Sequence, residues 1–538
     1  MAIIKSLRTR NLRALGDTGD IRLAPITVLV GRNSIGKSTF ARIFPLIRQS
    51  VEVSRRAPIL WWGKYVDFGT FEEAVNRKSV QKEIEFSFTI TLSRASFSAS
   101  SSNVGVGAGV GRRSVFLPSP TDFSAAITLS QSGEGTYVSL IRISIQDLKC
   151  EVHIDSNQTV KRISCGQLEW VPANNVIGHV IPGEIFPDIV FSRPSPKVDD
   201  GTQYRHLIGD APLYTLLQQE IRRHVHGNTT FHRTREIAMK MPLASVATTV
   251  QIIKNVSGPA SWRDAVSDWS ITSSYVKWIR QATLISSVPT LLQAFNSAVN
   301  EFGRGVRYLA PLRATAERYY RPQELSLEEI DSNGGNLAIF LNGLKDQNEL
   351  PQYNEWMKEN LGLEVIPEKN GGQISLKVKF GSADATNLAD MGFGLSQVLP
   401  VATQLWVSSN PGRRRTIGSG GGATTCLVME QPELHLHPAF QGKIADLLHG
   451  ALTRRNTVVD EKQSETPFCT VVETHSSALI NRLGELVFEK KLLESDIQIL
   501  LFDYDEKTGE VSVSKAVFDS DGVLENWPFG FFSGAVGE

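Results

Sequence analysis

The sequence predicts an α/β fold: a mixed β-sheet around a phosphate-binding loop, with a helical insert and a small α+β extension towards its end. Three observations predict it. Val28–Phe40 reads as an apolar strand, a glycine-bounded loop and the first turn of a helix. From about Pro212 to Phe302 the apolar spacing changes to three-to-four, the period of helices. Two later apolar stretches, Thr425–Glu430 and Phe468–Glu473, end in polar turns, as buried strands of ligand-binding α/β sheets do.

The first observation carries the most chemistry. Gly31, Gly36, Lys37 and Ser38 fill the G-x-x-x-x-G-K-[ST] pattern. Glycine lets backbone N–H groups of the loop, here Arg32, Asn33 and Ser34, close on phosphate oxygens without a Cβ in the way. The helix that follows aims its free N–H groups, Thr39 among them, and the positive end of its dipole at the anion. Lys37 is expected to reach the terminal phosphates of ATP and Ser38 to put its hydroxyl on Mg²⁺. The helix is expected over Lys37–Ile47, kinked at Pro45.

The remaining elements follow in order. Ile3–Asn11 and Ile21–Val30 read as strands leading into the loop, and Ile84–Leu92 alternates strictly. Ser93–Gly111, rich in Ser, Gly and Ala, reads as an insertion or hairpin tip, and Ser139–Ile154 as strand again. We therefore expect an N-terminal lobe over 1–200 and a helical insert over 201–305. A C-terminal lobe over 306–480 and a small extension over 481–538 follow. Within the insert, Ile221–Arg235 gathers Arg222, Arg223, His224, His226, His232, Arg233 and Arg235. A solvated helical face is the first reading of such a run, and a DNA or RNA backbone contact the second. Its histidines lack the i, i+4 spacing of metal ligands. Pro411–Ala423 reads as an exposed Gly/Ser/Arg linker.

Composition sets limits. The chain of 538 residues has room for two or three cores, and its 56 basic and 56 acidic residues cancel. No global charge draws it to nucleic acid. Cys150, Cys165, Cys426 and Cys469 form no C-x-x-C pair, so neither a disulfide framework nor a cysteine zinc site is expected. With no signal-peptide pattern at Met1–Lys5 and no long apolar run, a cytoplasmic protein without a membrane span is expected.

Three downstream stretches complete the reading. Met391–Gln397 places Gly394 and Ser396 at a helix start. Thr425–Pro438 runs from a strand into Glu430-Gln431-Pro432-Glu433, and delivers a carboxylate of the kind a Mg²⁺–phosphate centre needs. Phe468–Ser476 brings His475 to the end of another strand. In this order the stretches resemble the ABC-type ATPase heads: phosphate loop, signature turn, metal-binding strand, histidine switch. The likeness is to SMC-like and OLD-like AAA-family ATPases, many of them from prokaryotic antiviral systems such as the Septu type. It extends to a subgroup whose C-terminal domain of unknown function closes on Trp-Pro-x-Gly-Phe-Phe, here Trp527–Phe532.

The resemblance implies roles. Lys37 and Ser38 would take the phosphates and Mg²⁺, and Glu430 would stand where the metal-binding aspartate usually is. Gly394 and Ser396 would cap the γ-phosphate held by a second subunit, and His475 would touch the γ-phosphate. Gln49 or Asp67 would position water. It further implies a homodimer or higher homo-oligomer formed through the heads, and a separate effector such as a nuclease or toxin. The position of the catalytic glutamate holds Gln431, which cannot accept a proton from water, so slow hydrolysis is expected unless Glu433 substitutes. The alternative is a DNA-binding ATPase that takes part directly in nucleic-acid processing or repair.

Overall fold

The computed structural model describes residues 3–93, 115–133, 135–173, 175–194, 205–207, 211–323, 327–410, 424–462, 468–505 and 510–527. The Ser/Gly/Ala stretch after Ser93, the Pro411–Ala423 linker and the ending after Trp527 lie outside them. The chain divides into two compact units. One comprises Met1–Arg22, Gln49–Gly63 and Asp67–Glu301; the other comprises Leu23–Arg48, Lys64–Val66 and Phe302–Glu538. The phosphate loop therefore groups with the C-terminal half of the chain, and the insert groups with the N-terminal strands. This grouping differs from the expected segments because long-range strand pairing, rather than chain order, assembles a parallel sheet.

The first unit is an antiparallel meander. Ile84–Leu92 pairs with Ile3–Leu12 on one side and Thr121–Ser132 on the other. Gly135–Ile145, Leu148–Ile154, Val160–Cys165 and Leu168–Trp170 continue it hairpin by hairpin. The alternation read at Ile84–Leu92 is the buried face of this sheet. The helices Ala211–Arg222, Phe231–Met239, Val246–Asn255 and Ala260–Ser267 belong to the same unit. Arg280 ties helix to sheet: its guanidinium donates to both Asp147 oxygens at 2.7 and 2.6 Å and to the Ala244 carbonyl.

The second unit is built on a parallel sheet. In space its strands run Val306–Leu309, Thr425–Glu430, Phe468–Glu473, Ile26–Gly31, Ile497–Asp505, all parallel. Glu510–Phe518 runs antiparallel beside Ile497–Asp505. Every residue of Ile26–Gly31, Thr425–Glu430 and Phe468–Glu473 is buried, as central parallel strands covered on both faces must be. A small antiparallel sheet, Leu363–Asn370, Gln373–Phe380 and Thr386–Asn387, packs into the same core. The helix Phe393–Ser409 is buried from Leu395 on, with Trp406 edge-on to Tyr353 at 5.4 Å.

Two local findings refine the sequence reading. The helix after the loop breaks at Arg42, not at Pro45: helices run Lys37–Ala41 and Ile43–Glu52. Pro45 thus sits in a first turn, where its missing N–H costs nothing. The four cysteines are free and buried, but they lie in two cross-strand pairs, Cys150 with Cys165 and Cys426 with Cys469. Among the described residues no helix is long and apolar enough to cross a membrane.

Candidate nucleotide site

The parallel order brings three chain-distant segments to one edge of the second unit. These are the loop after Ile26–Gly31, the turn after Thr425–Glu430 and the turn after Phe468–Glu473. Parallel α/β sheets bind ligands in such a crevice at the carboxyl ends of their strands.

The loop is shaped for close approach. A Cβ on Gly31 would meet the Phe502 carbonyl oxygen of the neighbouring strand at 2.5 Å, so only glycine lets the two backbones pack here. Gly36, at φ 112°, starts the helix in a conformation that side chains disfavour. Between them Ser34 takes φ 61°, while Arg32, Asn33 and Ser34 are exposed. Lys37 is 2 % exposed and its ammonium donates to the carbonyls of Gly31 at 2.9 Å and Arg32 at 2.6 Å. Two of its three protons are thus spent on the loop that would cradle phosphate. Burial holds its pKa below the usual lysine value, with the Glu473 carboxylate acting in the opposite direction.

The acidic turns differ from expectation in one respect. Glu430 is clamped. Arg42 donates to both of its oxygens, Nε and Nη2 each at 2.8 Å, and the Tyr308 hydroxyl adds a bond at 2.6 Å. The carboxylate that touches Ser38 is Glu473, whose Oε1 accepts the Ser38 hydroxyl at 2.8 Å. Burial pushes the Glu473 carboxyl up to about 7. Sequence reasoning passed over Glu473, although its signal, a carboxylate ending a buried strand, is the one that singled out Glu430.

Gln431 sits at φ 44° and donates its N–H to the Glu473 carbonyl at 2.8 Å, which pins one turn to the next strand. His435, four residues on, is also left-handed, at φ 63°. Glu433 is buried and its Oε1 accepts the His475 backbone N–H at 2.7 Å, while Oε2 has no hydrogen-bond partner among the described residues. Burial raises its pKa, and the nearby Arg313 guanidinium lowers it by less. His475 stands at the next turn, and its pKa is lowered by partial burial and by the charge of Lys37. Ser476 caps the following helix by accepting from Leu479 N–H at 3.1 Å.

The signature turn has a different outward surface from the expected one. Ser396 is buried and its hydroxyl donates to its own helix, to the Phe393 carbonyl at 2.7 Å. What faces outward is the Gly392–Gly394 backbone and the Phe393 ring, 45 % exposed and edge-on to His435 at 5.0 Å. Gln49 is buried and its amide donates to the Leu60 carbonyl; Asp67 accepts from the Gly69 N–H. Both belong to the first unit.

The basic run of the insert is largely committed inside its own unit. Glu220 pairs with Arg223 and His224, and Glu236 with His232 and Arg233. His224 also packs edge-on to Trp269 and Tyr275 at 4.9 and 4.6 Å. Arg223 and Arg233 thus have acidic partners within the same unit.

Residues 251–481 match the family described as "AAA domain, putative AbiEii toxin, Type IV TA system". No curated protein matches the chain. Among solved structures the chain is similar to an Smc head domain with an extended coiled coil from Pyrococcus furiosus, at 10% identity and a TM-score of 0.32, covering 96% of each chain. It is also similar to an Smc head domain with a coiled coil and joint from Pyrococcus yayanosii, at 9% identity and a TM-score of 0.33, covering 97% of this chain and 98% of that one. A third is the SMC head domain from Thermotoga maritima, at 8% identity and a TM-score of 0.30, covering 95% and 98%.

Proposed function

We propose that this protein is a slow, ATP-binding ATPase of the ABC/SMC-like kind. Its heads pair on ATP, and the paired state controls a separate effector, a nuclease or toxin, in prokaryotic antiviral defence. One observation carries the nucleotide reading: the parallel sheet sets the glycine-bounded loop, with Lys37 at its helix start, against two strand ends that supply carboxylates and a histidine.

We assign the roles as follows. Loop N–H groups from Arg32 to Ser38 take the phosphates, and Lys37 turns from the loop carbonyls towards the terminal phosphate. Ser38 and an adjacent carboxylate would hold Mg²⁺, which would neutralise charge on the phosphates. The donor set suits it, since Mg²⁺ is commonly bound by one or two carboxylates plus phosphate oxygens. His475 reaches the γ-phosphate. Gln431 orients water but accepts no proton, so turnover is slow. Gly392–Gly394 offers a helix N-terminus to the nucleotide of a second copy.

Sedimentation velocity with and without Mg-ATP tests the reading. The wild-type chain shifts to a dimer or larger assembly with ATP, and Lys37→Ala does not. An unchanged sedimentation coefficient for the wild type sinks the head-pairing reading.

A further inference from the structure

We infer that Arg313 is the positioning residue of the turn Glu430–Glu433: it sets where that turn holds Gln431 and Glu433, and so governs turnover rather than nucleotide binding. The inference rests on the nucleotide reading above and gives a place in it to a side chain that reading leaves out. Three observations carry it.

The first is where Arg313 lies. It follows Val306–Leu309, the strand beside Thr425–Glu430; Thr425–Glu430 and Phe468–Glu473 stand between that strand and the loop strand. Backbone bonds fix the chain on both sides of it. Ala310 N–H donates to the Ser332 carbonyl and Ala314 N–H to the Asn333 carbonyl, each at 2.8 Å. The side chain reaches the turn, where Nη2 donates to the carbonyls of Glu430 at 3.3 Å and Gln431 at 3.4 Å.

The second is that these bonds leave the guanidinium half used. Arg313 is 6 % exposed, and its Nε and Nη1 have no hydrogen-bond partner among the described residues. Two long carbonyl bonds do little for a buried cation, and a well-packed apolar side chain often serves a core as well. Unspent donors on a buried cation call for an explanation beyond packing.

The third is a matching acceptor. The carboxylate whose charge acts on Arg313 is Glu433, on the same turn. Glu433 is 7 % exposed; its Oε1 is taken by the His475 N–H, and its Oε2 has no partner among the described residues. A planar fork with free donors thus stands by a carboxylate with a free oxygen, the geometry that arginine suits and lysine does not. From the other side the Glu473 carbonyl accepts the Gln431 N–H at 2.8 Å. The turn is suspended between Arg313 and the strand Phe468–Glu473, and a shift of about 1 Å in a group that handles water can cost about 10²-fold in rate.

The test measures phosphate release from Mg-ATP by the full chain, with equilibrium binding of a fluorescent ATP analogue alongside. The proteins are the wild type, Arg313→Gln, Glu433→Gln and the double variant. Arg313→Gln is expected to lower kcat at least about tenfold and to keep analogue affinity within about twofold. The double variant is expected to be no slower than the slower single variant, because the two residues act as a unit. Wild-type kcat in Arg313→Gln, equal losses of kcat and affinity, or losses that multiply in the double variant overturn the inference. If Arg313→Gln does not fold, Arg313→Lys keeps the charge without the fork. It is expected to lose about threefold or more in kcat at unchanged affinity, and wild-type kcat there overturns the inference equally. A wild-type chain that binds no analogue refutes the nucleotide reading itself; one that binds it and releases no phosphate leaves nucleotide binding standing and overturns the inference.

Discussion

Removing Arg42 tests the clamp on Glu430. Arg42 makes a two-pronged contact with Glu430, and Tyr308 adds a third bond to the same carboxylate. Glu430 is buried, whereas the Arg42 side chain is 33% exposed. Arg42→Ala leaves a buried carboxylate with only the tyrosine hydroxyl. Breaking a buried ion pair from one side costs about 3–5 kcal/mol, and the exposure of Arg42 puts this case near the lower end. A loss of ~3 kcal/mol is a large part of the 5–15 kcal/mol typical of a domain. For a unit of this size it corresponds to a melting temperature lower by roughly 6–12 °C. Removing both charges, with Arg42→Met and Glu430→Gln together, should recover most of it, because the cost lies in the orphaned charge. Differential scanning calorimetry of the three proteins reads this directly. The reasoning is refuted if Arg42→Ala melts with the wild type, or if the double variant melts no higher than Arg42→Ala.

Three further outcomes are expected. Turnover should lie about 10²–10⁴-fold below that of an otherwise similar site with a general base, and a fast phosphate-release rate that survives Glu433→Gln contradicts the slow-switch assignment. The pKa of Glu433 is raised in the folded protein, so the folded state binds its proton more tightly than the unfolded chain. The contribution of this group to stability is therefore full below the ordinary glutamate range and is lost as pH rises from that range through the raised folded pKa. As pH rises above the ordinary glutamate range, Glu433→Gln should lose less in melting temperature than the wild type, and parallel curves would contradict the assignment. If Arg222–Arg235 is a solvated face, neutralising Arg222 and Arg235 should leave any DNA affinity unchanged at low salt, and a steep loss would restore the nucleic-acid reading.

The phosphate loop was legible in the sequence because its chemistry is local: glycines, lysine and serine at fixed spacing, between a strand and a helix. The Ile84–Leu92 strand was legible for the same reason, since alternation needs no partner to be seen. What the sequence hid is long-range. Glu430 and Glu473 both end buried strands, and nothing in the local pattern says which strand lies beside the loop. Only the pairing of Glu473 with Leu29 decides it. The clamp on Glu430 was hidden likewise, because Arg42, Tyr308 and Glu430 come from three separate elements. The break at Arg42 rather than Pro45 reflects helix position, which a lone proline does not reveal. His224 read as part of a charge run, but its Trp269 and Tyr275 neighbours make it a packing residue.

The central claim is that the loop ending in Lys37 binds a nucleoside triphosphate. Equilibrium binding of a fluorescent ATP analogue, compared between the wild type and Lys37→Ala, tests it most directly. Lys37 supplies one charge-assisted contact worth about 1.5–3 kcal/mol, so Lys37→Ala should weaken binding about 10- to 100-fold with the fold intact. Equal affinity in the two proteins, or none in the wild type, contradicts the account.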